Sequence, residues 1–301
     1  MKVIVFGGAG FVGSHVADAL SEAGHEVSIF DLNESAYLRP NQKFIKGDIL
    51  DLEKVMEAIK GQEIVYNFAG VADIEKASKS PLNTIKTNII GNANLLEASR
   101  LNMIKRFVFA STLYVYSEAG SFYRSSKQAC EITIEEYHRK YGLEYTILRY
   151  GSLYGLRADE SNWIRSILEQ ALKEGRIVRN GNGEEIREYI HVEDAARCSI
   201  DILDDEYKNQ NVIIAGHQSL KICDLLIMIK EILGNKIEIE YSPSDQDPLH
   251  YEITPYIFKP RLAKRILSNR YIDFGQGIMD CLDDVYKRLK PKIKEGIIKN
   301  G

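Results

Sequence analysis

Short apolar runs and longer stretches of helical periodicity alternate along the first half of this chain. Runs of four or five residues, rich in Val, Ile and Phe, fall at 2–6, 26–30, 43–46, 63–66, 106–110 and 144–148. Segments with apolar residues three and four apart lie between them, at about 11–23, 51–60, 82–101 and 122–141. Continuous apolar strands separated by amphipathic helices predict an α/β fold with a doubly wound parallel sheet. From Gly151 onward the pattern loosens into shorter elements, with Pro243, Pro248, Pro255 and Pro260 crowded into one stretch. We expect a sheet domain over 1–150 and a smaller α/β region over 151–301 that closes over a ligand, some of its segments returning to the first domain.

The first strand runs directly into Gly7-Gly8-Ala9-Gly10-Phe11-Val12-Gly13. Glycines between a strand and a helix let the backbone approach a pyrophosphate, and the helix N-terminus offers N–H groups to it. A glycine cluster alone can be only a tight turn, but the residues downstream of it narrow the reading. Ser21-Glu22-Ala23-Gly24-His25 ends the helix, and Asp31 closes a second strand about 20 residues beyond the glycines, where an acid bonds ribose hydroxyls. A carboxylate there repels a 2′-phosphate, so NAD is expected over NADP. Asp31 as a turn cap is the competing reading, and Arg39 is the residue that would overturn the choice of cofactor.

A second constellation lies downstream. Tyr123 and Lys127 are four residues apart on an expected helix, which places phenol and ammonium on one face. A phenol becomes a base at neutral pH only where nearby positive charge favours its ionised form. Tyr286 and Lys290 share the spacing, but that pair reads as a solvent-facing helix. Tyr123 instead lies beyond the strand Phe107-Val108-Phe109-Ala110, whose end carries Ser111 and Thr112, and ligands in open α/β sheets bind at such strand ends.

Composition narrows the partners. Net charge is −4 with acids and bases interspersed over 301 residues, which gives no footprint for nucleic acid or an anionic membrane. The sequence has no apolar run of the length a membrane span needs, and the N-terminus enters a strand at once, so a cytoplasmic protein is expected. Cys130, Cys198, Cys223 and Cys281 show no CxxC spacing and the six histidines no HxxxH, so neither disulfides nor a metal are expected.

In order and spacing these motifs resemble the extended short-chain dehydrogenase/reductase superfamily with its Rossmann-type fold, in particular the NAD-dependent epimerase/dehydratase family, which acts on nucleotide sugars. Gly7, Gly10 and Gly13 match its GxxGxxG, with Phe11 and Val12 between them. The resemblance implies that Asp48 bonds the adenine and Ile49 packs on it, that Phe68, Ala69 and Gly70 line the cofactor, and that Asn88, on the helix beneath the active site, is a cofactor contact too. Ser111 to Tyr116 is similar to SSxxVYG, which implies Thr112 as the catalytic hydroxyl. Tyr123 to Lys127 with Glu131 is similar to YxxSKxxxE, which implies Tyr123 and Lys127 as catalytic and Lys127 as a cofactor contact too.

Leu148 to Gly155 resembles RxxNxYG and Arg187 to Asp194 resembles RDxxHVxD. They imply a substrate surface with Ser152 and Arg187 besides Thr112 and Tyr123, and Asn162 and His250 are expected as further substrate contacts. The resemblance implies Arg187 as the diphosphate contact, which suits a guanidinium, and a surface ion pair with Glu188 or a neighbour is the competing reading. His191 reads as structural.

The departures concern the sugar. The family's 4,6-dehydratases carry an acid pair after the catalytic threonine, where this chain has Leu113 and Tyr114, so dehydration is not expected. The connection from Tyr116 to Tyr123 is short, Ser152 replaces an asparagine and Leu156 a proline. The expectation is an NAD-dependent epimerase acting at C4 of a nucleoside-diphosphate hexose. A net nucleotide-sugar oxidoreductase is the nearest alternative, and a silent NAD-binding sensor the alternative of another class. By analogy with the family, a homodimer is expected through helices 82–101 and 122–141, with Ile89, Leu95, Ile132 and Ile134 facing either the partner or the core.

Overall fold

A computed structural model describes residues 1–217, 219–242, 250, 253–255, 264–266 and 271–294. Pro243, Pro248 and Pro260 lie outside these residues, as does the end of the basic tail. The first half of the chain runs β1 (Lys2–Phe6), α1 (Phe11–Glu22), β2 (Glu26–Asp31), β3 (Gln42–Lys46), α2 (Leu52–Ile59), β4 (Ile64–Asn67), α3 (Ile74–Lys79) and α4 (Pro81–Thr84). A π-helical turn (Ile85–Ile90), α5 (Gly91–Leu101), β5 (Arg106–Thr112), a 3-10 turn (Leu113–Tyr116), α6 (Ser121–Tyr141) and β6 (Tyr145–Tyr150) come next. The remainder comprises β7 (Ser152–Tyr154), α7 (Trp163–Glu174), β8 (Arg176–Asn180), β9 (Ile186–His191), α8 (Val192–Asp201), β10 (Gln210–Ile214), β11 (Ser219–Lys221), α9 (Ile222–Ile232), β12 (Glu238–Ser242), β13 (Lys264–Ile266) and α10 (Phe274–Lys294).

Eight strands form one parallel sheet in the order β13-β10-β6-β5-β4-β1-β2-β3. Its central strands are buried on both faces, which explains their unbroken apolar sequences. Val3 and Val5 pack with Val16 and Leu20 of α1 and with Ala195, Cys198 and Ile202 along and just beyond α8. Ile4 and Phe6, one residue out of phase, pack on the other face with Val55, Ile59, Leu95 and Ile134 from α2, α5 and α6. The sheet is therefore wound in both directions from β1 and β4, and a crevice opens where their crossovers part.

Segments from the second half return to this sheet. β10 pairs with β6 in register Gln210↔Thr146 to Ile214↔Tyr150, and α8 covers the face beside α1. Around them a smaller body holds β7, β9 and β11 in one sheet and β8 with β12 in another, packed with α7, α9 and α10 around Leu168, Leu225, Ile229 and Ile278.

The segment expected as one helix over 82–101 differs. The chain turns into α4 at Pro81 and passes through the π-helical turn before α5. A π turn inserts one residue into the helical ladder and rotates the face beyond it. Here it coincides with Asn88, a buried amide. Among the described residues no helix is long and apolar enough to cross a membrane.

Candidate active site

The C-terminal ends of β1, β2, β4, β5 and β6 converge on the crevice, which brings together glycines, Asp31, residues 68–70, Thr112 and Ser152. Gly7 takes φ 74°, and a Cβ there would lie 2.5 Å from the Ala69 nitrogen. A Cβ on Gly13 would run into the Gly7 carbonyl. The β1 loop, the Phe68-Ala69-Gly70 turn and α1 thus close on one another through absent side chains. Gly10 is the N-cap of α1 and brings no side-chain cap, so the first N–H groups of the helix, at Phe11 and Val12, have no acceptor from that side chain. Asp31 accepts from the Ala9 nitrogen at 3.0 Å, which ties the loop to the end of β2. These features fit a dinucleotide: a close backbone cradle, a positive helix end and a carboxylate beyond the second strand.

Arg39 does not reach for a phosphate. Its guanidinium meets Asp18 at 2.9 Å and Glu22 at 2.8 Å, both on α1. Asp48 accepts from the Leu50 nitrogen at 2.9 Å in a turn of its own, and Ile49 is buried against Gly91. Phe68 stacks on Tyr66 with ring centroids 6.2 Å apart.

Helix α6 carries the candidate chemistry on one face. Tyr123, Lys127, Glu131 and Ile134 are spaced by four, four and three residues, and the last three are almost wholly buried. Lys127 Nζ donates to the Ala110 carbonyl at 2.7 Å and lies 5.9 Å from the centre of the Tyr123 ring. Burial pulls the Lys127 ammonium down to about 8, opposed by the negative charge of Cys130 and Glu131 when ionised. An ammonium this poorly solvated gains from any anion that forms beside it.

Ser111 and Thr112 point to opposite faces of β5. Ser111 Oγ donates to Glu131 Oε1 at 2.6 Å, and Arg149 grips the same carboxylate through Nε at 3.0 Å and Nη2 at 2.7 Å. Ser111 therefore belongs to a buried anchor, and Thr112 holds the strand end. Its Oγ1 accepts from the Tyr114 nitrogen at 3.2 Å, which starts the 3-10 turn.

Asn88 is a brace. Its Oδ1 accepts from the Val71 nitrogen at 2.7 Å, while Nδ2 donates to the Val71 carbonyl at 3.0 Å and to Ser126 Oγ at 2.9 Å. Both of its donors are occupied in holding the turn after β4 to α6. Sequence reasoning misses Ser126 as a member of this brace, and its only signal is a place inside the Tyr123–Lys127 motif.

The expected substrate residues are less uniform. Ser152 begins β7 opposite Tyr189. Arg187 lies in β9, is 8% exposed and donates to the Ile186 carbonyl at 3.0 Å. His250 Nδ1 lies 2.7 Å from the Tyr114 hydroxyl, and the Tyr114 ring stands edge-on to Tyr123. Asn162 has a structural use: Oδ1 caps α7 at the Arg165 nitrogen, 3.2 Å away, and Nδ2 donates to the Leu153 carbonyl at 2.8 Å. His191 Nδ1 caps α8 at the Glu193 nitrogen, 3.4 Å away. Tyr286 and Lys290 are exposed on α10.

A cradle for a dinucleotide beside a Tyr-Lys helix face is matched by sequence comparison. A sequence profile of the NAD-dependent epimerase/dehydratase family covers residues 3–216. The chain belongs to this family. Its cofactor is NAD, and its fold is the Rossmann-type sheet described above. A putative UDP-glucose 4-epimerase of Methanocaldococcus jannaschii is 31% identical over 299 residues, covering 92% of this chain and 95% of the relative. A UDP-N-acetyl-alpha-D-glucosaminuronate decarboxylase of Bacillus cytotoxicus is 28% identical over 272 residues, 81% of this chain and 84% of the relative. Among solved structures, a UDP-glucose 4-epimerase of Thermotoga maritima with UDP-glucose superposes with a TM-score of 0.83 at 27% identity, over 96% of this chain and all of that one. The chain is thus an enzyme of a family whose relatives are nucleotide-sugar epimerases and decarboxylases.

Proposed function

We propose that the protein is an NAD-dependent nucleotide-sugar epimerase that inverts C4 of a nucleoside-diphosphate hexose, most simply a UDP-hexose. The observation that carries the reading is the α6 face, with Lys127 held under Tyr123 by the Ala110 carbonyl, together with a 3-10 turn that brings no carboxylate next to Thr112. A dehydratase has water to expel from the sugar, and the turn Leu113–Tyr116 supplies no carboxylic acid for it.

Gly7, Gly10, Phe11, Val12 and Gly13 would hold the pyrophosphate, Asp31 the adenosine ribose, Asp48 and Ile49 the adenine, and Phe68, Ala69, Gly70 and Lys127 the nicotinamide end. NAD, when bound, accepts a hydride from the sugar carbon and returns it. Tyr123 takes the proton of the hydroxyl at that carbon and later gives it back, and Thr112 hydrogen-bonds the same oxygen as charge develops on it. Lys127 favours the phenolate by its charge. Arg187 binds the diphosphate, with Ser152 beside it. The keto sugar then turns between two hydride transfers, so the pocket needs room.

A homodimer belongs to the same proposal. Leu95 and Ile134 are buried in the core, but Ile132 is 47% exposed, and Phe122 on α6, Leu82 on α4 and Ile90 in the π-helical turn are exposed as well. That apolar face is what a partner's matching helices would cover. The test of the proposed reaction is to denature the purified protein, identify released nucleotides by mass spectrometry, and track UDP-glucose and UDP-galactose interconversion. Retained NAD with interconversion and no net NADH supports it, while stoichiometric NADH production would establish the oxidoreductase.

A further inference from the structure

Tyr114 stands two residues beyond Thr112, at the mouth of the same site. Its ring meets the Tyr123 ring edge-on with centroids 6.3 Å apart, and its hydroxyl lies 2.7 Å from His250 Nδ1. The ring lies close against the short loop: Gly120 takes φ 97°, and a Cβ there would come within 2.7 Å of Tyr114 Cδ1. Arg124, the guanidinium nearest along α6, donates to the Ser117 carbonyl at 2.9 Å and fastens that loop. The shortened connection thus presses a second phenol beside the first and hands its hydroxyl to a histidine from the C-terminal region.

The geometry points to Tyr114 as the specificity-determining residue for the sugar, with His250 as its positioning partner, and to a neutral hydroxyl-bearing hexose, not a uronate, as the substrate class. This rests on the proposed epimerase reaction. A sugar whose reacting hydroxyl lies between Thr112 and Tyr123 presents the substituent of a neighbouring carbon to the Tyr114 wall. A hydroxyl or hydroxymethyl group there can both donate to and accept from the phenol-imidazole pair. A carboxylate can only accept, so it leaves without a donor whichever of the phenol oxygen and imidazole nitrogen needs one.

The experiment measures kcat and KM, and binding by calorimetry, for UDP-glucose, UDP-N-acetylglucosamine and UDP-glucuronate. It compares the wild type with Tyr114→Phe, His250→Ala, His250→Asn and Tyr114→Phe/His250→Ala, with retained NAD as the check on folding. The wild type is expected to favour a neutral sugar over the uronate by at least about ten-fold in kcat/KM. Tyr114→Phe is expected to lower kcat/KM for that sugar about ten-fold, mostly through KM, the loss of one hydrogen bond. His250→Ala should match it, the double variant should add little, and His250→Asn, which keeps a polar atom near the Nδ1 position, should restore most of the loss. A preference for UDP-glucuronate, or Tyr114→Phe leaving every sugar unchanged, overturns the inference. If the wild type interconverts none of the sugars while Tyr114→Phe still weakens neutral-sugar binding about ten-fold, the wall stands and the epimerase reading fails.

Discussion

Glu131 and Arg149 meet in a two-pronged ion pair from which solvent is wholly excluded, with Nε and Nη2 on separate carboxylate oxygens. Ser111 also donates to Glu131, and the Tyr116 hydroxyl accepts from Arg149 Nη1 at 2.5 Å. One carboxylate on α6 therefore fixes the end of β5, β6 and the 3-10 turn at once. Its place two turns below Tyr123 sets the rotation of the helix that carries the phenol. Removing one partner leaves the other charge buried without compensation, so Glu131→Ala is expected to cost about 3 to 5 kcal/mol in urea unfolding. A cost below about 1 kcal/mol would mean that water reaches Arg149 and that the anchor is weaker than its geometry.

Lys127 sets stability against chemistry. Its folded-state value of about 8 lies below the ordinary 10.5, so at neutral pH the protein carries a buried ammonium that the unfolded chain solvates freely. Between about pH 8 and 10.5 the unfolded state binds the extra proton, and stability rises with pH by up to about 3 kcal/mol from this group. The stability of NAD-free wild type relative to Lys127→Met should therefore increase across that window and stay flat below it. A relative stability that falls across the window would contradict the burial of the charge.

Asp31 and Arg39 separate the cofactor question into two measurable parts. With Arg39 engaged by Asp18 and Glu22 on α1, Arg39→Ala should leave the preference for NAD over NADP unchanged. Asp31→Ser removes the carboxylate and should weaken NAD at least about ten-fold while narrowing the preference, read by fluorescence titration. An NADP preference that changes with Arg39 and not with Asp31 would reverse the assignment.

Leu82 and Ile132 are the residues on which the proposed dimer is most exposed to test, at 81% and 47% exposure in the single chain. Leu82→Glu and Ile132→Glu should each shift the protein from dimer to monomer in light scattering after size exclusion, with NAD retained. A wild type that is already monomeric at micromolar concentration would contradict the proposal.

How much is legible in the sequence depends on which forces are local. β1, α1 and Asp31 can be placed because a fully buried strand, a glycine turn and a strand-end acid each leave a short-range signature, and their observed bounds differ by at most one residue from those expected. The single helix expected over 82–101 cannot reveal its π turn, because that turn is fixed by Asn88 bonding Val71 and Ser126, residues 17 and 38 positions away. Asn162 reads as a substrate contact because its cap on α7 shows only once the helix start is known. The Tyr114–His250 contact joins residues 136 apart, and its one trace in the sequence is that Tyr114 stands where the family's dehydratases have an acid.

The central claim is that the hydride leaves the sugar and returns to it within one binding event, with Tyr123 handling the proton. The most direct test is to turn over a UDP-hexose deuterated at C4, with excess unlabelled NAD in solution, and to locate the label by NMR and mass spectrometry. The account expects deuterium fully retained at C4 of the inverted sugar, none in the free NAD pool, and no turnover by Tyr123→Phe. Label lost to free NADH, or inversion that survives Tyr123→Phe, would contradict it.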